Sequence, residues 1–112
     1  MKNYALKWLI QRITALLLIP LTFWFIYSAI SLSKMDYDET INFFQSYLNS
    51  FLFYVMMIAM LLHAKLGLQT IIDDYVTSKK IYNLSKWGIN LNAYFLMLLL
   101  TFFIIKITIL NA

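Results

Sequence analysis

The sequence predicts an all-α membrane protein of three transmembrane helices, with the N-terminus inside and the C-terminus outside. Apolar residues make up 62% of the 112-residue chain, well above the roughly 45–50% of a soluble domain even when tyrosine, which that average omits, is discounted. Charged residues are only 12%, too few to cover the surface of a soluble globule of this size. Three stretches, at about 9–32, 43–72 and 88–110, each supply the roughly 20 mostly apolar residues that a helix needs to cross the hydrocarbon core.

The chain opens MKNYALKWLIQRITALLL, whose basic residues ahead of an apolar run resemble a signal peptide. The run continues to Ile30 with no small-residue cleavage site leading into a polar domain, so it reads as a retained span. Pro20 lies inside it, where the missing N–H frees a carbonyl one turn earlier and favours a bend that membrane helices tolerate. The second stretch would be about 45 Å long at the helical rise, so it tilts or projects from the bilayer. No repeat, low-complexity tract or linker divides the chain, and residues 1–112 read as one membrane-anchor domain.

Charge sets the expected orientation. The connection SLSKMDYDETIN holds three of the five acids and one lysine, whereas the connection before the third span carries Lys79, Lys80 and Lys86, and the N-terminal flank carries Lys2, Lys7 and Arg12. Short basic segments stay inside, which places the N-terminus and the second connection in the cytoplasm or matrix, and the acidic connection and C-terminus opposite. The membrane is then a bacterial cytoplasmic (inner) membrane or the mitochondrial inner membrane. The same scatter of nine basic residues forms no patch for nucleic acid. With no cysteine, this chain offers no ligand for a thiolate metal site or an iron–sulphur cluster.

Ionisable groups inside a span cost about 2.5–3.5 kcal/mol at the bilayer centre on the lenient insertion scale, so each asks for a compensating partner. His63, the one histidine, lies well within the second span and is either a hydrogen-bonded structural residue or a haem-iron ligand. Gly67, Thr70 and Asp74 follow it at offsets of four, seven and eleven, which puts all four within about 40° of one line along the helix. That small, polar stripe marks a bundle interior, suited either to close helix packing or to a flat ligand.

Asp74 and Tyr75 come about 16–18 Å along the axis from His63. Tyr75 is either an aromatic-belt anchor or a phenol donating to a quinone-like carbonyl, with Asp74 orienting it or relaying a proton. Asp73 reads as a solvated loop charge. Arg12, at the inner end of the first span, either snorkels to headgroups or meets a propionate or other carboxylate. Lys65 lies about 200° from His63 around the helix and points away from the stripe, to snorkel or to pair with a partner's acid. Lys106 snorkels at the outer end.

QRITALLL near the start and HAKLGLQTIIDDYV in the second span, with His, then Gly four residues on, then Asp-Tyr at eleven and twelve, resemble the hydrophobic membrane-anchor (D) subunits of succinate dehydrogenase, respiratory complex II. The two motifs cover about a fifth of the chain; Lys65 departs from the pattern. The resemblance implies that His63 is an axial ligand of a haem b, that Arg12 lies near the haem propionates, and that Tyr75 hydrogen-bonds ubiquinone with Asp74 in support. With a single histidine, a second imidazole on the iron must come from another polypeptide. The implied partners are a second, cytochrome b-type anchor subunit, an iron–sulphur subunit and a flavoprotein subunit. The chain is then no enzyme alone but a non-catalytic anchor contributing to quinone reduction, in electron transfer from succinate to ubiquinone. The competing expectation is a non-redox structural or assembly subunit; a proton-coupled transporter fits less well, since three spans offer no inverted repeat.

Overall fold

The computed structural model describes residues 4–110; Lys2, counted above among the inner charges, lies outside them. Among the described residues the chain forms four helices and no strand: α1 (Tyr4–Leu32), α2 (Tyr37–Gln45), α3 (Tyr47–Tyr75) and α4 (Lys79–Thr108). The expected three long helices are α1, α3 and α4, each long and apolar enough to cross a membrane. At 29, 29 and 30 residues they measure about 44 Å, some 14 Å more than the roughly 30 Å core.

The helix ends differ from the apolar stretches for a physical reason. Intrahelical hydrogen bonds do not require apolar side chains, so α1 begins at Tyr4 and α4 at Lys79, several residues before the hydropathy rises. The basic connection before the third span is therefore almost wholly helical, and only Val76–Ser78 turn the chain. Pro20 does not end α1, which is helical on both sides of it.

The acidic connection also folds. Asp36 caps α2 by accepting a hydrogen bond from the Glu39 backbone N–H at 2.9 Å, and Asp38 and Glu39 in the first turn suit the positive end of the helix dipole. Phe43 and Phe44, expected to open the second span, instead close α2. The break comes at Ser46, where the backbone is extended, and later side chains take over the freed carbonyls. Asn49 donates to the Phe43 carbonyl at 3.2 Å, while the Ser50 and Thr108 (2.9 Å) hydroxyls both reach that of Phe44 and, with one proton each, share two donations between that carbonyl and one another.

The long helices run up, down and up, with α3 in the middle packed against α1 on one side and α4 on the other; α1 and α4 make no comparable contact. Small and polar residues fill the seams. Thr14, Leu21 and Ser28, seven apart, are the buried residues of α1, and Ala59 and Ala93 lie buried on α3 and α4. In lipid, helices gain little hydrophobic energy from one another and rely on close packing and hydrogen bonds. Tyr54–Thr101 (2.8 Å), Gln69–Asn90 (2.7 Å) and Ser50–Thr108 (2.7 Å) cross-link α3 to α4 along its length. Rings of Trp24, Phe25, Phe43, Phe44 and Phe53 stack around α2 at the far end.

Candidate functional site

At the end where α1 begins, α3 stops and α4 starts lies a cavity of about 790 Å³, within the roughly 300–1,000 Å³ range of ligand sites. Three of the four residues singled out in the sequence meet there: Arg12 from α1, His63 and Asp74 from α3. Thr70 joins them from the polar stripe, and Trp8 and Tyr82 complete the wall. Tyr75 does not line the cavity; it is 79% exposed on the outer face of the last turn of α3.

His63 is held by α1. Its Nδ1 lies 3.0 Å from Thr14 Oγ1, and that hydroxyl sits 2.8 Å from the Ile10 carbonyl and 3.1 Å from that of Gln11. A hydroxyl has one proton, and the helix carbonyl one turn back is its nearest acceptor. Thr14 Oγ1 then accepts from Nδ1–H, which leaves the Nε2 lone pair of the neutral ring for another partner. A hydrogen bond at one ring nitrogen that decides the tautomer at the other is the usual arrangement of a metal-binding imidazole.

Two further features point to a ligand. Gln11 Oε1, facing α3, is buried with no hydrogen-bond partner, and such an orphaned acceptor asks for a donor that this chain does not supply. A Cβ added at Gly67 would meet only Gln11 Nε2, at 3.9 Å, so helix packing within this chain does not require glycine there. Arg12 is exposed, with its guanidinium 5.3 Å from the Trp8 ring centre, free to meet an anion. Among the described residues no three acidic, His or Cys side chains gather to hold a free metal ion.

Asp73 is solvent-exposed as expected but lies in the last turn of α3 and not in a loop, and it is not alone. It accepts from Lys86 Nζ at 2.8 Å and from Tyr82 Oη at 2.6 Å, tying the end of α3 to the first turns of α4 beside the cavity. The sequence reading also missed Thr14, Gln11 and Tyr82. Gln11 stands in the QR opening already noted, and Thr14 follows Ile10 by one helical turn, so both were within reach of a helical-wheel argument. Tyr82 was not, since it belongs to a segment read as a loop.

The model of the succinate dehydrogenase/fumarate reductase transmembrane subunit matches residues 3–105. The chain belongs to that family. Succinate dehydrogenase hydrophobic membrane anchor subunits of Rickettsia bellii, Rickettsia typhi and Rickettsia prowazekii are 32%, 29% and 28% identical to it over 82 residues, 73% of this chain. The alignments span 66% of the length of those relatives. No solved structure matches the chain. Three apolar helices and bacterial relatives make this transmembrane subunit a multi-pass protein of the bacterial inner membrane.

Proposed function

We propose that this chain is a membrane anchor of a succinate:quinone oxidoreductase, holding one side of a haem b and forming one wall of a ubiquinone site. The observation that carries this reading is the convergence of Arg12, His63 and Asp74 on one cavity, with the His63 ring set by Thr14. Haem b, when bound, supplies a one-electron redox centre. His63 Nε2 would hold the iron, Arg12 would compensate a propionate carboxylate, and the orphaned Gln11 oxygen lies among groups that a ligand would cover.

Ubiquinone reduction consumes two electrons and two protons, so the quinone wall must donate hydrogen bonds and pass protons. Asp74 relays protons at the inner rim, and Tyr75, projecting beside it, donates to a quinone carbonyl at the face shared with a second anchor subunit. That second subunit would supply whatever further ligand the haem takes from protein. Iron–sulphur and flavoprotein subunits carry succinate oxidation, for which this chain has no cysteine or flavin motif. The orientation follows the basic end: N-terminus inside, C-terminus outside.

The test is the reduced-minus-oxidised spectrum of the complex purified through this subunit. Bands of a b-type haem are expected in the wild type and their loss or displacement in His63→Ala, with the same subunits co-purifying. Unchanged bands in the variant would remove His63 as ligand. A colourless wild-type complex would leave a non-redox scaffold as the function.

A further inference from the structure

Lys65 is the residue the site above does not absorb. It lies on the other side of α3, ten residues before the helix end, or about 15 Å from it, a depth where a cation needs compensation. Its Nζ donates to Tyr94 Oη at 2.9 Å and sits 4.6 Å from the Tyr94 ring centre, neither of which neutralises its charge. The side chain opens into a cleft of about 560 Å³ between α1 and α4, floored by α3, which also receives Lys7 and Lys86. Among the described residues lining that cleft none is acidic. Asp73 is paired with Lys86 and also feels the charge of Lys7, so one carboxylate faces three lysines and the cleft carries an excess of positive charge, with Lys65 the lysine farthest from it along α3.

The cleft does not end there. Ile10 and Leu62 line both it and a second, almost wholly apolar groove of about 300 Å³ that runs on along α1 and α3 past Ile58 to Val55. From Lys65 to Val55 is another ten residues, about 15 Å of axis. A basic, hydrogen-bonding chamber at the membrane-end side, leading directly into an apolar trough parallel to the helices, is complementary to an amphiphile with an anionic head. A peptide carboxylate would use the lysines but leave the trough unfilled, and a zwitterionic lipid would bring no net charge to the lysines.

We propose that this groove binds one anionic phospholipid, its phosphate between Lys7 and Lys65 and one acyl chain lying along Ile10, Leu62, Ile58 and Val55. The groove shares Lys7, Leu66 and Tyr82 with the wall of the His63 cavity but does not include His63 and requires neither haem nor quinone. It accounts for a lysine placed deep in a span, and it fills the gap that α1 and α4 leave by not packing together.

Native mass spectrometry of the detergent-purified complex, titrated with dioleoyl phosphatidylglycerol or dioleoyl phosphatidylcholine, tests it. The wild type is expected to retain one phosphatidylglycerol in preference to phosphatidylcholine. Lys65→Gln should weaken that binding about fivefold, the equivalent of the ~1 kcal/mol one basic residue contributes toward anionic lipid, and Lys65→Arg should restore it. Ile58→Trp, which blocks the trough and leaves every charge in place, should also release the lipid. Equal retention in wild type and Lys65→Gln would overturn the assignment. So would displacement of the lipid by soluble glycerol phosphate, or carbodiimide cross-linking of Lys65 to an acidic residue of a partner subunit. Lipid retention is read independently of colour and turnover, so its failure is distinct from failure of the anchor reading.

Discussion

Thr14 carries more of the candidate site than its chemistry suggests. Its hydroxyl proton is committed to the helix and its lone pair to His63 Nδ1, so Thr14→Val would strip the imidazole of its only described polar contact while keeping shape and burial. The expected outcome is a loss of about 1 kcal/mol of stability for the missing hydrogen bond, together with weakened haem retention and a shifted midpoint potential. Thr14→Ser should restore both. Redox titration of the complex checks this, and an unchanged potential would reduce Thr14 to a packing residue. Tyr75→Phe is expected to slow quinone reduction about fivefold, the worth of one hydrogen bond of about 1 kcal/mol, while succinate oxidation by a dye is spared; equal loss in both assays would count against a quinone role. His63, Arg12 and Asp74 were legible in the sequence because a spacing of eleven on one helix and a charge at a span end are one-dimensional facts. The Asp73–Tyr82–Lys86 cluster was not, because it joins two helices across a turn that hydropathy misplaced.

At the scale of elements, hydropathy located every long helix and misjudged most of their ends. It measures contact with lipid, and α1 and α4 continue past that contact into polar residues that still bond along the helix. The short helix α2 escaped notice although its signature was present: Asp36 followed three residues later by Glu39 is the N-cap and N3 pair of a helix start. Removing the cap in Asp36→Ala should cost about 1 kcal/mol of local stability, seen as faster amide exchange across Tyr37–Gln45. Protection in α3 should change little, since the Ser50 and Thr108 hydroxyls reach the Phe44 carbonyl from the other side. Exchange that quickens equally in α2 and the far half of α3 would show instead that the two unfold as one unit.

On the scale of the whole molecule, three helices in a layer enclose little: among the described residues no large side chain is fully buried, and the candidate spans are only 17%, 17% and 6% buried within the chain. Lipid and neighbouring subunits must supply the remaining contacts, and their arrangement depends on which way the layer stands. The cavity and the basic cleft both open at the end that carries Lys7, Arg12, Lys79, Lys80 and Lys86, against Lys34 and Lys106 at the other. On the proposed orientation that excess keeps the basic end in the cytoplasm, the side from which soluble partners would deliver electrons. The chain contains no cysteine, so single replacements report topology without background. In spheroplasts, a membrane-impermeant maleimide is expected to label Asp38→Cys on α2 and to spare Lys80→Cys until the membrane is permeabilised. The opposite pattern would put the His63 cavity on the periplasmic side, where cytoplasmic partners could not reach it, and would sink the proposed electron path even if the haem were present.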